Sequence, residues 1–544
     1  MSEKKIKKSL LVQGGILAGA GLITKIIGFI YRIPMSNILG EQGNGVYSVA
    51  FGIYNVALTL SSYSMPLAVS KLVAARLAKN EGKNAKRVFL DALLFAILVG
   101  TIAMLALYFG ADALEGLYKR QGLAKPLHVL APTTFVVALL GTFRGYFQGH
   151  RNMVPTALSQ IFEQIANAIV SVVAAYGFMK VYATSEVSFA YGAMGGTMGT
   201  LSGAFVALVY FVILYLMNKS QMEKEDEKND FGNEIEGHAM IYKALLLTIL
   251  PVILSQTIYQ LGYTIDDIVY GNLMALKGYE EAVASSLQGV FNTQYNQLIN
   301  LPVAISAALA SSTIPSMVAS KMKGDKEDVF AKITLVVKVN MLIAFPCAVG
   351  MAVLSTPIMK LLFPRLVTYQ ATASMLLLTG SFAIVFYALS TITTSILQGN
   401  DYMRLPVIHS GISLVIHVVL ITTLLYFTDW NVYALVIGNV TFPMIVSFMN
   451  CYSISKKIGY QWNVFQMFVK PLVASAVMGI FTYLVYFVIR MFFHGFLGEV
   501  IATGISVGVS IVVYAIVAIK IKCLGKEEVM ELPGGRTLAA KLFS

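Results

Sequence analysis

Charge is what this sequence has least of. Asp, Glu, Lys and Arg make up 12% of its 544 residues, about half the share of a soluble domain. Hydrophobic residues make up 57%, and the mean hydropathy is +0.72. A water-soluble globular fold is excluded, and so is a soluble enzyme on a single anchor, because the apolar excess runs from end to end. Cysteine is nearly missing: Cys347, Cys451 and Cys523 stand far apart, without pairing or metal-ligand spacing, so no redox or metal role follows. No G-x-x-x-x-G-K-[ST] loop occurs, which excludes an ATPase of its own. HExxH and CxxC are missing too, and no large outer loop is available for acid–base chemistry, as a membrane-embedded glycosyltransferase or polymerase would need. Transport fits better than catalysis, with no catalytic residue, metal or cofactor expected.

What is present is a series of apolar runs, each near the roughly 20 residues that cross a bilayer. They predict an all-α polytopic membrane protein of about fourteen helices, near 10–31, 44–66, 88–109, 125–147, 155–178, 190–216, 241–270, 284–308, 333–354, 372–397, 405–427, 431–452, 471–489 and 500–519. The basic N-terminus leads into a first helix read as retained rather than cleaved. Lys and Arg number 28 on the side that includes both termini and 9 on the other, so both termini are expected in the cytoplasm. The surplus of 12 positive charges is thus a topology signal and not a mark of nucleic-acid binding.

Short motifs recur along the chain. Ser70-Lys71 returns as Ser320-Lys321, and Gln148-Gly149 with Met153 returns as Gln398-Gly399 with Met403, all at an offset of 250. Pro155 and Pro406 follow the second pair, one residue out of register, and Gly45-Val46-Tyr47 resembles Gly289-Val290-Phe291. A repeat of six helices inserts the same way up in both copies, which predicts two lobes related by an axis along the membrane normal. The expected organisation is a six-helix lobe over 1–217, a charged cytoplasmic linker over 218–240, a second six-helix lobe over 241–455, and helices 13 and 14 with a tail over 456–544.

Ionisable groups inside spans mark sites, because each costs several kcal/mol unless it faces water or a partner. Lys25 and Arg32 lie two turns apart on one face of the first helix and together suit one anion. Gln160, Glu163, Gln164 and Asn167 make a polar stripe on the fifth helix, and pairing with Arg144 is the structural alternative for Glu163. The seventh helix carries Gln256, Tyr259, Gln260, Tyr263, Asp266, Asp267 and Tyr270; the eighth carries Asn292, Asn296, Gln297 and Asn300. Tyr47, Tyr54 and Asn55 add polar groups to the second. The first, second, seventh and eighth helices are expected at the lobe interface, around a wet cavity. His409 and His417 are read as structural hydrogen-bonding groups rather than a proton relay.

Arg144 to Gln164, RGYFQGHRNMVPTALSQIFEQ, resembles the signature of the polysaccharide-flippase branch of the MOP superfamily, in particular its SpoVB/YtgP group related to MurJ lipid II flippases. TKIIGFIYR at Thr24 to Arg32 and GKNAKRVF at Gly82 to Phe89 are similar to motifs of the same group. The resemblance implies alternating-access export of an undecaprenyl-diphosphate-linked saccharide, most simply a lipid II-like cell-wall precursor, with the diphosphate on Lys25 and Arg32. Asn55, Gln297 and Asn300 would meet sugar hydroxyls. Glu163, Asp266 and Asp267 would serve a coupling cation, Na⁺ or H⁺, or act as counter-charges, with the membrane potential as the other energy source. Helices 13 and 14, aromatic from Phe481 to Phe496, would groove the polyprenyl tail, and cell-wall enzymes are candidate partners. Two departures stand out: Gln297 and Asn167 occupy places where relatives often carry Arg. The competing readings are a cation-coupled multidrug antiporter of the same superfamily, a flippase for another lipid-linked polysaccharide, a glycan polymerase or ligase, and a scaffold recruiting cell-wall enzymes.

Overall fold

The computed structural model describes residues 3–228, 230, 235–322, 324–525 and 528. Among them the chain is helical and strand-free, and it forms two compact units, 1–289 and 290–544. The first holds α1 (Glu3–Ser61), α2 (Met65–Ala78), α3 (Gly82–Phe109), α4 (Ala111–Tyr118), α5 (Ala124–Gly149), α6 (Val154–Val181), α7 (Ser188–Lys228), α8 (His238–Leu276) and α9 (Glu281–Gly289). The second opens with a π-helical turn, Val290–Tyr295. It continues through α10 (Asn296–Met322), α11 (Lys326–Val353), α12 (Ser355–Leu362), α13 (Gln370–Gly380), α14 (Ala383–Gly399), α15 (Arg404–Phe427), α16 (Val432–Ile458), a second π-helical turn at Phe465–Val469, α17 (Lys470–Phe492) and α18 (Gly495–Lys520).

The outward faces of these helices are apolar. On α3 Leu94, Leu98 and Ile102 are 58–60% exposed, and on α18 Ile511 and Val512 are 66% and 58% exposed. A lipid environment is the solvent such faces require, and the protein is a multi-pass membrane protein. Ten helices among the described residues are long and apolar enough to span, eleven if α13 and α14, bent by 46°, count as one. All fourteen expected runs fall on helical segments, but the number of spans counted this way is lower for physical reasons. The first two runs fuse into α1, and the run at 241–270 includes positions outside the described residues.

The fusion in α1 is a kink. Gly40 adopts φ 71° and ψ 179°, a region open essentially to glycine alone. The fully buried Asn44 carboxamide donates to Ser36 O at 2.8 Å and Gly40 O at 2.7 Å, covering carbonyls that the kink frees.

The break between units falls at Gly289 rather than in the polar stretch 218–240, because α8 packs on α1, α2 and α3. That stretch is less of a free linker than its composition suggests. Helix α7 runs on to Lys228, and the far end is pinned: Glu236 pairs with Arg76 at 2.7 Å, and His238 Nδ1 lies 2.8 Å from the buried Asp91. Glu234 and the residues around it lie outside the described residues.

The repeat is visible within each unit. Helices α5 and α14 both end at the glycine of Gln-Gly, at 149 and 399. Arg151 (φ 59°) and Asp401 (φ 69°) then turn left-handed. Arg151 N donates to Gln148 O and Asn152 N to Phe147 O; Asp401 N donates to Gln398 O and Tyr402 N to Leu397 O. Every one of these positions differs by 250. The glycines of the other repeat motif meet one another where α9 crosses α1. A Cβ on Gly289 would lie 2.6 Å from Gly45 N, and one on Gly45 would lie 2.0 Å from Ser285 O. Backbones approach that closely only where both side chains are missing.

Candidate polar site of the first unit

Lys25 is exposed on α1 and has no hydrogen bond or ion pair among the described residues. Arg32, seven residues on, is exposed as well and interacts with Tyr31 and Tyr47. At 1.5 Å per residue the two cations stand about 10 Å apart along one face. Tyr31 ties this face to α6: the Asn167 carboxamide donates to the Tyr31 hydroxyl at 3.3 Å, and Ser171 donates to Asn167 Oδ1 at 2.8 Å and to Gly196 O at 2.7 Å. Asn167 is therefore a buried bridge between helices.

What holds the α6 stripe in place is a feature the sequence analysis passed over. Gly195, Gly199 and Gly203 form a G-x-x-x-G-x-x-x-G stripe on α7, and α6 lies directly against it. A Cβ on Gly199 would lie 2.0 Å from Ser171 Oγ and 2.5 Å from Asn167 O; one on Gly203 would lie 2.5 Å from Glu163 O. The i, i+4 glycine spacing in an apolar helix was the signal available. On the other flank Glu163 pairs with Arg144 of α5 at 2.6 Å, and Arg144 also donates to Ser159 at 3.2 Å. Among the described residues, the carboxamide oxygens of Gln160 and Gln164 in the same stripe are buried without a partner.

Asp266 and Asp267 have different surroundings. Asp266 is half-buried, whereas Asp267 is buried and accepts a hydrogen bond from the Gln288 amide. Gln288 Oε1 in turn accepts from Arg120, whose Nε lies 3.0 Å away. Arg120 is 2% exposed and stacks over Tyr270 at 5.9 Å. Burial pushes its guanidinium down, and Tyr270, Asp267 and Glu281 oppose that shift. This Arg120–Gln288–Asp267 network joins the α4–α5 loop, α8 and α9. No local pattern announced it, because Arg120 and Gln288 are 168 positions apart. The side chains of Gln256, Tyr259 and Tyr263 lie outside the described residues.

Asn55 is half-buried on α1; its carbonyl accepts from Thr59. In the second unit the expected eighth-helix stripe is divided by the π-helical turn. Asn296 accepts from Asn439 of α16 at 3.3 Å, and Tyr295 donates to Asn439 Oδ1 at 3.2 Å and to Gly380 O at 2.9 Å. Gln297 is buried and Asn300 is exposed. A π-turn inserts a residue into the helical register and is common at functional positions. His409 and His417 are buried and partnered, by Asn450 at 2.7 Å and by Gly438 O at 3.2 Å, as structural histidines are. Among the described residues no group of three or more His, Cys, Asp or Glu is placed to hold a metal.

Comparison with known proteins adds the following. Residues 10–321 match the family model described as polysaccharide biosynthesis protein. The chain is 24% identical over 542 residues to the lipid II flippase MurJ of Bacillus subtilis (strain 168), covering 97% of this chain and 98% of that protein. It is 26% identical over 312 residues to stage V sporulation protein B of the same organism, and that match covers 57% of this chain and 58% of the relative, short of two thirds of its length. Among solved structures, a lipid II flippase MurJ in an inward closed conformation superposes with a TM-score of 0.65 at 15% identity, over 93% of this chain and 98% of the other. An inward-facing multidrug resistance MATE transporter of the MOP superfamily superposes with a TM-score of 0.63 at 14% identity, over 80% and 95%. The fold is that of the MurJ and MATE transporters, and these relatives are transport proteins rather than enzymes.

Proposed function

The chain belongs to the polysaccharide biosynthesis protein family, and from that membership we propose that it is a flippase exporting an undecaprenyl-diphosphate-linked saccharide, foremost a lipid II-like precursor, across the bacterial cytoplasmic membrane. The observation that carries this reading is Lys25: a cation in an apolar span, exposed and unpaired among the described residues. Such a charge is stable where water or an anion reaches it. Lys25 and Arg32 hold the diphosphate by charge-assisted hydrogen bonds, and Asn55, Gln297 and Asn300 meet the sugar hydroxyls. Both termini face the cytoplasm, and alternating access carries the head group across while the polyprenyl tail stays in lipid.

Energy comes from the gradient. A potential of 100 mV, positive outside, favours outward passage of one negative charge by about 2.3 kcal/mol. Glu163, Asp266 and Asp267 are the candidates for a coupling cation or for counter-charges. The Arg144 pair and the Gln288 bond favour the counter-charge role for Glu163 and Asp267. The same pair weighs against a drug/cation antiporter, which needs an unclaimed carboxylate. The test is leaflet accessibility of undecaprenyl-linked sugars in proteoliposomes, with and without an imposed potential. Lys25→Ala should abolish outward movement while Lys25→Arg retains it; equal rates for Lys25→Ala and the unaltered protein would reject the reading.

A further inference from the structure

The segment after α18 folds back onto a cation of the second unit. Lys338, in the middle of α11, is 9% exposed, and its ammonium donates to Glu528 Oε1 at 2.6 Å. The other oxygen of that carboxylate accepts the Gly525 N–H at 2.8 Å. Beside it Lys470, the first residue of α17, donates to the Lys522 carbonyl at 3.1 Å. Cys523 is 2% exposed between these groups; burial pushes its thiol up, and Lys470 and Lys338 pull the other way.

A third contact joins α18 to α11. Tyr514 donates to Leu342 O at 2.8 Å, and Lys338 lies one turn from Leu342 toward the end where α18 stops at Lys520. Lys338 thus lies on the side of α11 that faces the last turns of α18. Exposed apolar side chains flank the exit on α18 and at the start of α17: Ile516, Ile519 and Phe465 are 48%, 43% and 60% exposed. Lys520 and Lys522, next in the chain, are exposed. Cations at the margin of an apolar surface are the chemistry that collects anionic headgroups.

A buried ammonium must have an anion, and here the chain supplies a single carboxylate from beyond its last helix. We propose that Lys338 and Lys470 form a site for a phosphate-bearing anion, which Glu528 fills from within the chain until a phosphate displaces it. Inorganic phosphate offers more acceptor oxygens and more charge than one carboxylate, and a phosphodiester headgroup, which matches the carboxylate's single charge, competes through its high local concentration at an anionic membrane surface. The site is separate from the cations of α1 and does not depend on which glycan is carried.

Cys523, buried beside Lys338 and Lys470, serves as the reporter of displacement at this site. The experiment uses the full chain with Cys347→Ala and Cys451→Ala, in nanodiscs of phosphatidylcholine with or without phosphatidylglycerol, and follows maleimide labelling of Cys523. Labelling should be slow in phosphatidylcholine and faster by about fivefold, the lower range of site-to-site coupling, with phosphatidylglycerol. Glu528→Gln should label fast in both. Lys338→Met should lose the lipid response; should that variant not fold, Lys470→Gln should still weaken it. Acceleration by phosphatidylglycerol but not by millimolar inorganic phosphate assigns the site to a lipid headgroup; equal acceleration by both assigns it to soluble phosphate. A wild-type rate unmoved by either anion, or Glu528→Gln labelling as slowly as wild type, overturns the proposal.

Discussion

Lys25 and Arg144 are both cations of the first unit, but their surroundings differ. Lys25 is exposed and unpaired among the described residues, whereas Arg144 is locked to Glu163 at 2.6 Å, with the two side chains 14% and 27% exposed. Residual exposure discounts the pair relative to a dry one. Arg144→Ala should cost about 1–2 kcal/mol, and Arg144→Glu with Glu163→Arg should recover part of it, as read by thermal unfolding in nanodiscs. Arg120 is the more demanding case. Its removal strands Gln288 and Asp267 in a buried setting, so Arg120→Ala should cost about 3 kcal/mol in the same assay. Sequence reasoning singled out Lys25, Arg32 and Glu163 because a charge in an apolar run is conspicuous, and it named Arg144 as the alternative partner of Glu163, the pair that the structure forms. It did not single out Arg120, because its partner Gln288 lies 168 positions away.

Glycine spacing decides how closely the helices approach. Gly45 and Gly199 each sit where a methyl group would overlap a neighbouring helix, with contacts of 2.0 Å to Ser285 O and Ser171 Oγ, while Gly411 of α15 has nothing within 4 Å. Overpacking at the first two should cost about 1–3 kcal/mol. Gly411→Ala should be neutral or stabilising by up to about 1 kcal/mol, since alanine is the better helix former. Unfolding temperatures of the three variants, measured side by side, check this, and equal effects would refute the packing argument. The apolar runs were legible as helices because a span needs continuous hydropathy. The kink at Gly40 was not, since the same residues read as two runs with a loop between them. The π-turn at Val290–Tyr295 was not legible either, because it changes the register of Asn292 and Asn296 without changing their spacing in sequence.

At the scale of the whole molecule, the two matching corners were readable from short motifs because a turn geometry constrains few residues tightly. Gln148-Gly149 and Gln398-Gly399 recur because each closes a helix before a left-handed residue. The division at Gly289 was hidden, since it follows from where α8 packs and not from composition. The pair of turns also yields a prediction. A left-handed non-glycine residue carries about 1–2 kcal/mol of backbone strain. Arg151→Gly should relieve it, whereas Asp401→Gly gives up the contact to Lys321 at 2.6 Å and should gain less. The two corners thus supply their own control: they share one turn geometry, an ionic tether is present on the Asp401 corner, and the difference between two point variants in a single polypeptide measures what that tether contributes.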